Sequence, residues 1–247
     1  MNTNHFWEKR SKQYNELNWV NDTQYKNDIL RLAELRTDQL VLDVGAGNGV
    51  IAKAVKPLVR HVVALDISES MLKIDESWKG ISVVQWDIVN PFFADGTFDR
   101  IFARMVFHHL LNDDLGLAIT RCHSALRKEG KLIIAEGVPP TNDPLIVDWY
   151  TEMFKYKEDR RTFTPESMTE FLKEGGFSDI SCHIYYMDNF SIGDWLKKSG
   201  IDTVNQDTIM RMHLEADPRI KEAYNMRITD NDCIVRTKNI IWVGEKH

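Results

Sequence analysis

The stretch Val41-Leu42-Asp43-Val44-Gly45-Ala46-Gly47-Asn48-Gly49-Val50 constrains the fold more than any other part of the chain. An apolar run from Gln39 to Val44 has the length and composition of a buried strand, and it stops at three glycines spaced two apart. From Ile51 onward, Ile51, Ala54, Val55 and Leu58 recur at i, i+3, i+4 and i+7, the stripe of an amphipathic helix. The order is therefore strand, tight glycine loop, helix. Glycine lets the backbone turn with positive φ and lets a ligand approach main-chain atoms that a Cβ would cover. That is a site for a nucleotide-like ligand at the carboxyl end of a first strand.

The glycine spacing narrows the ligand. A dinucleotide fingerprint needs G-x-G-x-x-G, whereas Gly45, Gly47 and Gly49 give G-x-G-x-G, and Val50 stands where the third fingerprint glycine belongs. The G-K-[ST] of a phosphate loop is missing as well. Asp43 precedes the loop; its carboxylate would repel a pyrophosphate and attract an ammonium or sulfonium group.

Further motifs follow in order. His61 to Asp66 reads as a second strand ending in an acid, and Ile81 to Asp87 as a third. Asn90-Pro91-Phe92, Asp95 to Ile101, His108-His109-Leu110 and Leu126 to Ile134 come next, the last ending in a fifth strand, Lys131 to Glu136. Together with the glycine loop, this set over about Asp38 to Gly137 resembles the class I S-adenosylmethionine-dependent methyltransferases of the small-molecule methyltransferase domain type. The resemblance implies a Rossmann-like, doubly wound α/β fold. Its seven-stranded sheet would have an antiparallel last strand and a helical cap inserted between the last two strands. It divides the chain into an N-terminal helical arm (1–36), a core (37–189 and 228–247) and the cap (190–227).

S-adenosylmethionine is then the implied cofactor. Asp43, Gly45, Ala46, Gly47 and Asn48 would surround it at the loop. An acid about 20 residues past the loop suits a ribose diol, and Asp66 lies there. Ile67, and Met71 one turn into the next helix, would flank the adenine. Asp87 and the Ile88 backbone N–H would meet its edge. Taken singly, either acid reads first as a helix cap, and two at successive strand ends behind the loop reverse that preference. The backbone around Ala103 and Arg104 would hold the methionine ammonium group, with the Arg104 guanidinium free for the methionine carboxylate, an acidic substrate or a carboxylate of the protein itself.

Composition bears on what is excluded. The chain has 247 residues, 43% of them hydrophobic, enough for one full α/β core. Its net charge of −6 and lack of a basic block argue against nucleic acid as a partner. Cys122, Cys182 and Cys233 are far apart and form no C-x-x-C, so neither a disulfide framework nor a metal site is expected. No run reaches the length of a membrane span and the amino terminus has no signal-peptide core, which predicts a cytosolic protein. The oligomeric state is left open.

The acceptor side is less defined. His108 and His109 are candidate general bases, or fixed structural contacts of the cofactor loop. Tyr14 in the amino-terminal arm, Trp149 and Arg160 in the aromatic and basic stretch Leu145 to Arg161, and Met210 in the cap are candidate substrate contacts, with Arg161 a further candidate for an anion. Each aromatic or methionine serves equally as core. The function expected is methylation of a small organic acceptor. The alternatives are methylation of a protein or tRNA, or cofactor binding without methyl transfer.

Overall fold

A computed structural model describes residues 20–247 apart from Lys73, Phe92 and Asn231; Tyr14, with most of the amino-terminal arm, lies outside these described residues. A single mixed sheet runs through the molecule in the order β3-β2-β1-β4-β5-β8-β6, with the short β7 paired to β8. Its strands are β1 (Leu40–Val44), β2 (His61–Asp66), β3 (Ile81–Gln85), β4 (Phe98–Arg104), β5 (Leu126–Val138), β6 (Asp179–Ser191), β7 (Arg227–Ile228) and β8 (Cys233–Glu245). The pairs β1–β2, β2–β3, β1–β4 and β4–β5 are parallel. β8 enters antiparallel between β5 and β6. This is the Rossmann-like α/β arrangement, with one very short strand more than the sequence suggests.

Helices cover both faces, as parallel strands require. On one face α1 (Thr23–Ala33) and α2 (Val50–Val55) pack with Val41, Val62 and Ile133. On the other, α3 (Asp114–Ala125) and α5 (Pro165–Glu174) pack with Leu42, Ile101 and Trp242. Leu115, Ile119, Cys122 and Leu126, the inner stripe read from the sequence, are all fully buried. Helix α5 begins where Thr164 accepts from the Ser167 N–H and the Ser167 hydroxyl accepts from the Thr164 N–H, a capping box followed by Pro165.

The third layer stands over the carboxyl edge of the sheet. Helix α4 (Pro144–Lys155) follows the Pro139-Pro140 break after β5, and α6 (Ile192–Lys198), α7 (Thr203–Leu214) and α8 (Pro218–Ala223) lie between β6 and β7. They share a separate core that includes Ile146, Trp195, Ile209 and Ile220. No helix among the described residues is long and apolar enough to cross a membrane.

Two boundaries differ from the sequence reading. The helix expected after Asp66 is not formed among the described residues: the Met71 and Leu72 N–H groups close one turn on the Ser68 carbonyl, and Asp75 then starts a 3-10 turn by accepting from the Ser77 N–H. The Asp66 side chain takes the Ser68 N–H and the Asp75 side chain the Ser77 N–H, which is what breaks a helix over so short a connection. β5 begins at Leu126 rather than Lys131, because the Glu129 N–H pairs with the Lys246 carbonyl and extends the ladder through a bulge.

Candidate active site

The chain leaves β1 to build β2 and β3 and returns to β4 on the other side of β1, so the connections diverge between the carboxyl ends of β1 and β4. A cavity of about 390 Å³ opens there. One end is lined by the glycine loop and the ends of β2 and β3, the other by α4, the chain after it and the cap.

At the first end Gly45, Gly47 and Gly49 all have positive φ, 64°, 55° and 79°. A Cβ on Gly45 would lie 2.3 Å from Val106 Cγ2, so glycine is required there by space as well as by φ. Asp66 ties this loop to β2: Oδ2 accepts from the Gly47 N–H at 2.8 Å, and Oδ1 from the Ser68 N–H at 2.8 Å. Asp43 Oδ2 accepts from the Ala52 N–H at 2.9 Å, and burial pushes its carboxyl up to about 7. Burial also raises Asp66. Ala46, Asn48, Ile67, Met71, Asp87 and Ile88 line the same end. Ile67 is about half exposed, 48%, whereas Met71 is buried. Asp87 Oδ1 accepts from the Val89 N–H at 3.2 Å.

Arg104 closes β4 and is buried. Its guanidinium reaches the Val20 carbonyl at 3.4 Å and lies 5.5 Å from the Tyr25 ring centroid, so part of its hydrogen bonding is used to hold the chain entering α1.

Between the two ends lies a turn, Phe107–His109, that presents both histidines to the cavity. Glu136, fully buried at the end of β5, organises it. Glu136 Oε1 accepts from the backbone N–H groups of Val106 (3.0 Å), Phe107 (2.8 Å) and His108 (3.3 Å), and Oε2 lies 2.6 Å from His108 Nδ1. Burial raises Glu136 to about 7, against the lowering effect of Arg160, His109 and these N–H groups. His108 Nε2 faces Glu158 Oε1 at 3.7 Å, and the His109 ring centroid is 4.0 Å from that of His108. His108, His109 and Glu158 each offer a ligand atom within 4.8 Å of one another. Lys157 Nζ already sits 2.6 Å from Glu158 Oε2, so the cluster stands as an ion-pair network with its positive charge supplied.

The far end separates the substrate candidates. Arg160 lines the cavity, its guanidinium 4.2 Å from the Phe154 ring centroid. Trp149 and Met210 do not line it. Trp149 packs edge-on behind His213 and Tyr224, and Met210 joins the small core of the cap. Arg161 is likewise turned away, donating to the Leu110 and Asn112 carbonyls. The residues that sequence reasoning missed are Glu136, Lys157, Glu158, His213 and Tyr224. Glu136 alone left a signal, as an acid ending the otherwise apolar run Leu132–Ala135.

A glycine cradle at the switch point of a doubly wound sheet, bounded by three strand-end acids, defines a class I S-adenosylmethionine-dependent methyltransferase. Comparison with known proteins agrees: a family model described as a methyltransferase domain matches residues 42–134. It is 21% identical to the uncharacterized methyltransferase YcgJ of Bacillus subtilis, over 82% of each chain. The crystal structure of YcgJ superposes with a TM-score of 0.82 over 91% of this chain and 98% of that one, at 18% identity. A demethylmenaquinone methyltransferase of Thermotoga maritima is 26% identical over 63% of this chain and 77% of its own length.

Proposed function

We propose that the protein transfers the methyl group of S-adenosylmethionine to a small organic acceptor held at the cap end of the cavity. The observation that carries this reading is continuity: one cavity runs from the glycine loop past His108 to the cap, so two ligands placed in it meet beside the histidine turn. Enclosure by α4 and the cap favours a small molecule over a polypeptide or tRNA.

The first end fits the cofactor. Gly45 and Gly47 line the cavity without side chains, so main-chain atoms face the cofactor, and its ribose, adenine and ammonium groups meet acids in order, Asp66, Asp87 and Asp43. Asp66 is already engaged by two backbone N–H groups, and its remaining lone pairs accept from the ribose hydroxyls. Burial raises the Asp43 carboxyl to about 7, and a cation beside it favours its ionised form. Ile67 and Met71 flank the adenine, the Ile88 N–H meets its edge, Ala46 and Asn48 complete the loop, and Arg104 stands near the methionine carboxylate. When bound, the cofactor supplies an electrophilic methyl on a sulfonium.

The chain contributes alignment, a dry chamber and a proton acceptor. Glu136 accepts the Nδ1 proton of His108, so Nε2 keeps its lone pair and is the atom that takes a proton from an acceptor hydroxyl or amine. His109 packs against that ring and fixes its plane.

Calorimetric titration with S-adenosylmethionine, S-adenosylhomocysteine and NAD tests the first half. Micromolar binding of the first two, without NAD, is the expected result, and NAD binding alone refutes it. Formation of S-adenosylhomocysteine from a fractionated metabolite extract tests the second half, because a protein that only senses the cofactor produces none.

A further inference from the structure

The cap end of the cavity holds two buried donors without a hydrogen-bond partner among the described residues, Arg160 Nε and the Tyr224 hydroxyl. Both residues line the cavity, and both are more than nine-tenths buried. Buried polar groups in folded proteins are nearly always paired, so two orphans in one cavity wall indicate a ligand that accepts hydrogen bonds.

Charge specifies that ligand further. Lys157, Arg160 and Lys238 line this end with Glu158, so cations outnumber the carboxylate there. Lys157 is matched to Glu158 at 2.6 Å, while Arg160 Nη1 stands 3.7 Å from Glu158, beyond hydrogen-bond distance. Arg160 Nη2 donates to the Gly137 carbonyl at 3.4 Å, so Nε–H is the donor left for a ligand, and a cationic N–H beside a hydroxyl suits a carboxylate. The Phe154 ring, 4.2 Å from the guanidinium, packs against that group in the cavity wall.

A third group sets a complementary demand. His213 Nδ1 lies 2.8 Å from the Ile209 carbonyl, so Nδ1 carries the proton and Nε2 keeps its lone pair. Burial lowers this imidazole to about 4, which leaves it neutral and accepting at neutral pH. Trp149 backs both His213 and Tyr224 and holds the two rings together.

We propose that the acceptor is a hydroxy- or amino-substituted carboxylic acid of roughly single-ring size, its carboxylate bound by Arg160 and the Tyr224 hydroxyl, the hydroxyl or amine to be methylated facing His108, any further donor group facing His213, and its carbon framework against Phe154 and Trp195. This rests on the reading of the cap end as the acceptor site. The carboxylate is an anchor, and it selects acids over the corresponding amides.

The test uses the whole chain saturated with S-adenosylhomocysteine, titrated calorimetrically with 4-hydroxybenzoate and, separately, 4-hydroxybenzamide. The acid is expected to bind at least about tenfold more tightly than the amide. Arg160→Gln abolishes that preference, and Tyr224→Phe, which removes one oxygen and keeps the fold safe should the first variant fail, reduces it several-fold. Affinity for S-adenosylhomocysteine stays unchanged in both. Equal binding of acid and amide, or binding of neither by protein that has taken up S-adenosylhomocysteine, overturns the proposal and leaves the methyltransferase reading intact. A chain that does not bind S-adenosylhomocysteine at all fails the underlying reading instead.

Discussion

Glu136 accepts from three backbone N–H groups of the histidine turn and faces His108 Nδ1, and replacing it separates positioning from chemistry. In Glu136→Ala, the N–H groups of Val106, Phe107 and His108 and the Nδ1–H of His108 lose their partner together. Removing one side of a buried, charge-assisted network costs about 3–5 kcal/mol, and for a chain of this size each kcal/mol corresponds to roughly 2–4 °C in Tm. Urea unfolding should therefore show a loss of that order, with Tm lower by about 10 °C. Glu136→Gln behaves differently. Its amide oxygen still accepts from the three backbone groups, so the loss is about 1–2 kcal/mol. Its NH₂ group faces Nδ1, however, and forces His108 into the other tautomer, with the proton on Nε2. If His108 takes a proton through Nε2, that exchange lowers turnover by about 10²–10⁴ while cofactor affinity holds. Long-range ¹⁵N–¹H correlation of the imidazole reads the tautomer directly. A Glu136→Ala variant within about 1 kcal/mol of the parent, or a Glu136→Gln variant that keeps the Nδ1 proton and full activity, would refute the reasoning.

Three shorter predictions follow from the cofactor end. Asp66→Ala should weaken S-adenosylhomocysteine by ~1–3 kcal/mol, since it removes the ribose acceptor and unties Gly47; unchanged affinity by calorimetry removes Asp66 from that role. Gly45→Ala should cost about 1–2 kcal/mol in left-handed backbone strain, plus displacement of Val106, and a variant that unfolds at the parent's urea midpoint contradicts the close approach. The folded chain holds the Asp43 proton more tightly than the unfolded chain does, so this contribution is whole below the ordinary carboxylate range and is lost as pH rises through about 7. Asp43→Asn keeps the bond to the Ala52 N–H and should flatten the fall in stability between roughly pH 4 and pH 7; an unaltered slope excludes Asp43 as its source.

Much of this was legible in the sequence where the signal is local. The glycine spacing marks a loop whose φ values are positive, and the alternation of apolar runs with helical stripes leads to the observed sheet. The connection after Asp66 was misread because a helix there depends on the Asp66 and Asp75 side chains not taking the backbone donors, a contest that hydrophobic period does not register. The acceptor end was hidden for another reason. His108, Glu136 and Glu158 meet only through the fold, and Trp149 and Met210 have the same composition whether they line a cavity or sit behind its wall. An apolar residue type says that a side chain is inside, not which interior surface it joins.

β6 and β8 remain paired beyond the body of the sheet, from Met187–Thr237 to Ser191–Ile234, and α6 to α8 are strung between their far ends. The cap is thus carried on a two-stranded stem and shares its apolar interior with α4. Mutations can accumulate in such a module without disturbing the glycine cradle, so descendants of one ancestral fold can exchange their preferred metabolite while inheriting the methyl donor unchanged. Engineering has the same handle: a chimera joined across the stem would transplant a new diet onto an old engine.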